Sequence, residues 1–316
     1  MQPPVLSIVV PCYNEQEVLD FCLNELSLRI EDMIYKGKID KGSHIVFIDD
    51  GSKDKTWRLI EIASSEKDLV KGIKLSRNKG HQTALMAGLS VCTDSDITVS
   101  IDADLQDDSS VIEQMVDAYS AGYDIVYGVR NDRTSDTFFK KFTAESFYKL
   151  MTLLGVNQVS NHADFRLLSK RALNSLLQYK EQNLYIRGLI PLIGYPSDKV
   201  FYSRSERVAG ESKYPLRKML SLALEGITSF SVTPLRIVSA LGFMISILSS
   251  IGVLYTLIQY FLGHTVSGWA SVILAVLFIG GVQMLCLGVI GEYVGKIYME
   301  SKKRPKFFIE DDTLKN

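Results

Sequence analysis

The chain has 316 residues, with 35 Lys and Arg against 36 Asp and Glu and a net charge of −1, so its bulk charge selects no nucleic acid. Its length suits one large domain with an appendage. The four cysteines, Cys12, Cys22, Cys92 and Cys286, have neither metal-site nor disulfide spacing, which fits a reducing compartment.

The opening MQPPVLSIVVP has no basic flank and reads as a first strand rather than a signal peptide. Near-continuous apolar runs at 6–10, 44–48, 72–75, 97–101 and 124–128 read as strands buried on both faces. Helical patterns at about 15–35, 55–67, 80–92 and 108–121 fall between them. Alternation of this kind predicts an α/β fold with a mostly parallel, doubly wound sheet. Ligands of such sheets bind at the carboxyl ends of the strands. Those ends carry Pro11-Cys-Tyr-Asn-Glu15, Asp49-Asp-Gly-Ser52, Ser76-Arg-Asn-Lys-Gly-His-Gln82, Asp102-Ala-Asp-Leu-Gln-Asp-Asp108 and Gly128-Val-Arg130. Neither GxGxxG nor GxxxxGK[ST] is present, against a dinucleotide fold and a phosphate-loop nucleotidase.

Asp102, Asp104 and Gln106 alternate past the fourth strand, and in extended chain their side chains point the same way. Asp107 and Asp108 lead into the next helical pattern, where acidic residues suit the helix N-terminus. His81 stands alone among these tips and reads as structural.

Further on, residues 237–263 and 265–291 contain no charged side chain. As helices, each run is about 40 Å long against a hydrocarbon core of roughly 30 Å. Two spans are therefore predicted in preference to two buried core helices. Gly280, Gly281, Gly288, Gly291 and Gly295 are expected to let them approach closely. Lys199, Arg204, Arg207, Lys213, Arg217 and Lys218 precede the first span, and Lys296, Lys302, Lys303, Arg304 and Lys306 follow the second. The loop between has no Lys or Arg, so both termini are expected in the cytoplasm. Ahead of the spans, Leu216, Met219, Leu220, Ala223, Leu224 and Ile227 share a helical face, as in a helix lying on a membrane or one packing between domains. The expected divisions are a catalytic domain at 1–213, a juxtamembrane amphipathic helix at 214–231, a transmembrane hairpin at 232–295 and a basic cytoplasmic tail at 296–316.

Ser7-Ile-Val-Val-Pro-Cys-Tyr-Asn-Glu15, Asp49-Asp-Gly-Ser52 and Asp102-Ala-Asp104 resemble glycosyltransferase family 2, which has the GT-A fold. Arg77-Asn78 with Gly80, Asp102–Asp107, Ala163-Asp-Phe-Arg-Leu167, Gly210-Glu-Ser-Lys213, Gly291-Glu-Tyr293 and Lys302-Lys-Arg-Pro-Lys306 narrow the likeness to its polyprenyl-phosphate glycosyltransferases. Among these the bactoprenol glucosyltransferases of O-antigen glucosylation are most similar, and the likeness covers nearly the whole chain. It implies an inverting transfer of a sugar, glucose from UDP-glucose, to undecaprenyl phosphate in a bacterial cytoplasmic membrane. Aminoarabinose, GlcNAc and mannose donors stand as alternatives. The resemblance implies Mg²⁺ or Mn²⁺ on Asp102, Asp104 and Gln106, and a nucleotide pocket including Pro11, Tyr13, Glu15, Asp50 and Ala103. Tyr13 would either stack or pack. Arg77 and Arg130 would meet the donor phosphates, and Arg207 and Lys213 the acceptor phosphate. Asp164 stands where many inverting members carry a base, or else orients Arg166 or the sugar hydroxyls. Gln-X-X-Arg-Trp, the mark of processive synthases, is absent. A homo-oligomer, a tetramer by analogy, is expected.

Overall fold

The computed structural model describes residues 2–131, 162–182, 184–203, 232–262 and 268–314. Its described residues divide into two units. One contains those up to Ser203 together with the tail from Arg304, and the other contains those from Val232 to Lys303.

The first unit is built on an eight-stranded sheet. Its strands are β1 Leu6–Cys12, β2 His44–Asp49, β3 Val70–Leu75, β4 Ile97–Ser100, β5 Ile125–Arg130, β6 His162–Ser169, β7 Ser197–Tyr202 and β8 Ile309–Asp312. They lie in the order β7-β5-β6-β4-β1-β2-β3-β8. β1 pairs in parallel with β2 and β4, β2 with β3, and β5 with β7. β6 runs antiparallel between β4 and β5, and β8 antiparallel to β3. The sheet is mostly parallel, as expected. Because β6 is inverted, its beginning rather than its end reaches the edge where β1 to β5 finish.

Helices α1 Leu19–Tyr35, α2 Thr56–Glu66, α3 His81–Val91 and α4 Val111–Ser120 alternate with the first five strands, and α5 Lys170–Leu176 and α6 Ile186–Ile193 follow β6. Leu6, Ile8 and Val10 of β1 share one core with Leu19, Leu26 and Ile30 of α1 and Ile112 and Met115 of α4. On the other face α3 lies tight on the sheet. A Cβ at Gly88 would come within 2.6 Å of Val9 and 2.4 Å of Ile48. Burial of both faces accounts for the unbroken apolar runs of the strands.

The tail extends the same sheet. Ser76 N–H donates to the Phe308 carbonyl at 3.0 Å, and Thr313 Oγ1 accepts from Gly72 N–H at 2.8 Å and Ser64 Oγ at 2.7 Å. The expected tail at 296–316 thus contains the end of a helix and an edge strand of the catalytic sheet.

The second unit contains α7 Thr233–Phe261 and α8 Trp269–Ser301. Thr233–Gly252 and Phe278–Ser301 are long and apolar enough to cross a membrane, with mean hydropathy 1.8 and 1.5. None of either window is buried, unlike the core helix of a soluble protein. Among the described residues a Cβ on Gly280, Gly281, Gly288, Gly291 or Gly295 would meet nothing within 4 Å, so the close approach expected at these glycines is not seen there. The juxtamembrane helix expected at 214–231 lies outside the described residues.

The tips of β2 and β3 touch at Gly51. Gly51 has φ +66°, and a Cβ there would lie 2.6 Å from the Asn78 backbone nitrogen. Gly51→Ala should destabilise the protein by about 2 kcal/mol, since the left-handed conformation and the contact both penalise a side chain. Thermal unfolding of the detergent-solubilised protein measures this. An unchanged midpoint would show that the two tips are not held so close.

Candidate active site

The strand tips are cross-braced before any ligand arrives. Asn14, at φ +54°, accepts from Lys53 N–H through Oδ1 at 2.9 Å, and its own N–H donates to Ser52 Oγ at 2.9 Å. Glu15 N–H donates to Thr56 Oγ1 at 2.9 Å. Both Asp50 oxygens accept backbone bonds, from Lys79 N–H at 2.7 Å and Gly80 N–H at 2.8 Å. Asp50, expected in the nucleotide pocket, thus clamps two tips together. Pro11 is buried at the end of β1, whereas Tyr13 is 41% exposed, which leaves its ring open for stacking. Arg77 is exposed on the β3 tip, and Glu15 is half-buried.

The acidic stretch is a turn, not extended chain. Leu105 N–H donates to the Asp102 carbonyl at 3.2 Å, with φ +44° at Leu105. Ala103 and Leu105 join the core and so fix the turn from below. The Ala103 side chain packs into the core. Asp102 and Asp104 remain half-buried at the edge, but Gln106 is buried, so the expected common direction of the three side chains stops at Asp104. Gln106 Nε2 and Asp102 Oδ1 are buried without hydrogen-bond partners. Asp107 does not cap α4. It is buried and accepts from Arg130 Nε at 2.9 Å, Arg130 Nη2 at 2.7 Å and Tyr202 Oη at 2.7 Å. Arg130, expected on the donor phosphates, is held by Asp107 through Nε and Nη2. Asp108 does serve the helix start, accepting from Ser110 N–H at 2.9 Å.

Asp164 stands near the beginning of β6 and meets Arg166, Arg187, Gln82 and His81. Its side chain is 6% exposed and is gripped by Arg166, itself 1% exposed. Arg187 Nε and Nη2 reach its two oxygens at 3.1 and 2.9 Å. Gln82 Nε2 donates to Oδ2 at 3.3 Å, and its Oε1 accepts from Ile186 N–H at 3.1 Å. His81 Nε2 lies 3.5 Å from Asp164 and 3.6 Å from Asp102. Burial alone would raise the Asp164 pKa, but Arg166, His81 and Arg187 outweigh it and hold the carboxyl well below its ordinary range. Burial lowers the His81 pKa, and the hydrogen bond to Asp164 with the charges of Asp102 and Asp164 reverses this to a net rise. Asp102 is raised, first by burial and then by the Asp164, Asp107 and Asp104 carboxylates, with His81 opposing.

Among the described residues no three His, Cys, Asp or Glu side chains gather around one metal position. Two carboxylates still fit a hard divalent cation whose remaining ligands are water and substrate phosphate. The Asp102 oxygen that lacks a hydrogen bond, with His81 Nε2 3.6 Å away, and the carboxylates around it favour that fit. Arg207 and Lys213 lie outside the described residues. His81 and Gln82 lie on the strand end expected to carry ligands, whereas Arg187 carries no mark of a site in the sequence. Only the shared edge of α3, β6 and α6 brings them together.

Residues 7–177 match Glycosyl transferase family 2, and residues 233–297 match the GtrB C-terminal hairpin. The chain belongs to glycosyltransferase family 2. Three relatives extend this family-2 match over nearly the full length. The uncharacterized glycosyltransferase YkoT of Bacillus subtilis (strain 168) is 51% identical, with 98% of this chain and 92% of that one aligned. The bactoprenol glucosyl transferase of Shigella phage SfV is 38% identical over 98% of this chain and 99% of that one. The prophage bactoprenol glucosyl transferase homolog of Escherichia coli (strain K12) is 39% identical over 96% and 98%. This family-2 protein is thus a glycosyltransferase with a GT-A-like mixed sheet and two helices of membrane-spanning length, as the resemblance implied.

A depressed pKa makes the Asp164 carboxylate stabilising above its unfolded value, near 3.9, and that contribution is lost as pH falls through the folded value. Asp164→Asn should leave buried Arg166 without its counter-charge and cost about 3 kcal/mol at neutral pH. Unfolding midpoints of parent and variant should converge in acid. A constant gap down to the lowest accessible pH would contradict the assignment.

Proposed function

We propose that this glycosyltransferase transfers a sugar, glucose from UDP-glucose, to undecaprenyl phosphate at the cytoplasmic face of a bacterial inner membrane. The observation that carries the reading is the state of Asp164. A general base works best with a pKa near the working pH. Asp164 is held as a carboxylate by Arg166, His81 and Arg187, so it is poorly suited to take a proton from a hydroxyl acceptor. A phosphate monoester needs no such base, because its oxygen is already anionic. That oxygen attacks the anomeric carbon, the bond to the donor diphosphate breaks with its electron pair leaving on the diphosphate, and the configuration inverts. No proton is moved.

Tyr13 offers a face to the base, with Pro11 and Glu15 beside it, and Arg77 is available to the phosphates. Asp102 and Asp104 would hold Mg²⁺ or Mn²⁺, which would stabilise charge developing on the leaving diphosphate. Arg207 and Lys213 are assigned to the acceptor phosphate. The hairpin would anchor the chain in the membrane that holds the lipid acceptor, with the catalytic domain and both termini cytoplasmic by the distribution of Lys and Arg. The product is a lipid-linked sugar of the kind used in O-antigen or cell-envelope glycan modification. The likeness of the relatives over both the catalytic domain and the hairpin supports this acceptor.

Purified protein incubated with undecaprenyl phosphate and labelled UDP-glucose should give label extractable into organic solvent. Labelled UDP-GlcNAc, UDP-aminoarabinose and GDP-mannose in parallel identify the sugar. EDTA should abolish transfer, Mg²⁺ or Mn²⁺ should restore it, and Asp104→Ala should lower it at least about 100-fold. Absence of lipid-extractable label from every donor would overturn the acceptor, and full activity of Asp104→Ala would overturn the metal assignment.

A further inference from the structure

We infer that Arg187 is a substrate-binding residue of this site, presenting its guanidinium to a phosphate oxygen while Asp164 holds it in place. The inference rests on the proposed reaction for the two sources of that oxygen, the donor diphosphate and the acceptor phosphate.

Charge balance is the first ground. Asp164 is one carboxylate facing two guanidiniums, Arg166 and Arg187. Arg166 is 1% exposed and lies against Asp164, so it already compensates that charge inside the sheet. Arg187 is 40% exposed and faces the open edge. Its positive charge is surplus to the buried pair, and the charge of Asp102 also acts on it. Asp102 in turn is one of the two carboxylates that fit a cation.

Its location in the helix is the second ground. Arg187 stands in the first turn of α6, which has no acidic residue. A cation at a helix N-terminus opposes the helix dipole. Helix stability therefore gives no reason for an arginine here, whereas an anion arriving at this end would be favoured by both the side chain and the dipole.

Pre-alignment is the third. Nε and Nη2 are fixed on Asp164, and Gln82 ties the start of α6 to the same carboxylate. The planar fork is thus oriented before a ligand binds, which suits the paired recognition of phosphate oxygens by arginine.

The test uses Arg187→Gln and Arg187→Lys in the full-length protein, with Gln82→Ala as a variant that loosens the same tether without removing charge. Binding of UDP is followed by calorimetry, and the acceptor KM is measured with undecaprenyl phosphate at saturating donor. Arg187→Gln should weaken one of these about 10- to 100-fold, the expected loss of a charge-assisted contact, with less loss in Arg187→Lys than in Arg187→Gln. A change confined to UDP assigns the donor diphosphate, and a change confined to the acceptor KM assigns the acceptor phosphate. UDP affinity and acceptor KM both within about twofold of the parent would overturn the inference. So would an equal weakening in Gln82→Ala, which would make Arg187 a brace only. UDP binding is read without any acceptor, so loss of UDP affinity in a protein that transfers nothing to undecaprenyl phosphate would refute the proposed acceptor and leave Arg187 as a diphosphate ligand.

Discussion

A carboxylate buried beside a buried arginine constrains the whole catalytic edge. Neither Asp164 nor Arg166 is tolerable alone in the sheet interior, and each makes the other possible. The pair lies at the start of β6, the one strand running against its neighbours β4 and β5. Around Asp164 gather the first residues of α3, the end of the acidic turn's strand and the first turn of α6. Elements far apart in sequence are therefore fixed to one side chain, and the site is ordered by electrostatics as much as by packing. The same constraint sets the chemistry, because a carboxylate held so firmly in its charged form is a poor proton acceptor and a good anchor.

The parts legible in the sequence are those whose pattern is local. Five strands buried on both faces announce themselves as apolar runs, and the helices between them by their periodicity. Alternation alone therefore puts their tips on one edge. β6, β7, β8, α5 and α6 leave no such local mark. β6 follows a long stretch without alternation, and β8 is an acidic segment, Ile309-Glu-Asp-Asp312, whose strand character comes only from the open edge of β3. The acidic stretch shows the same limit in one place. Alternation correctly separates Asp102 and Asp104 from Ala103 and Leu105, but Gln106 turns inward once Leu105 enters the core. Asp107 reads as a helix cap because its partner Arg130 is remote in sequence. His81 looks like an isolated histidine for the same reason.

The apolar helices carry a different lesson. Their length and lack of charge point directly to two spans, since in lipid a helix must satisfy its own backbone and expose only apolar side chains. Among the described residues the glycines along α8 do not yield a packing site, because small size permits close approach and does not require it. Composition settles which solvent the helices suit and leaves their neighbours unspecified.

The tail strand imposes an order on biogenesis. β8 is encoded after both apolar helices, yet it completes the sheet begun by β1. A nascent chain can form the parallel core and still present the unpaired edge of β3 until the whole hairpin has been synthesised. Exposed edges invite pairing with other chains. The sheet therefore cannot close until both apolar helices have been synthesised, and a translation product arrested within α8 carries an enzyme domain whose β3 edge is still open.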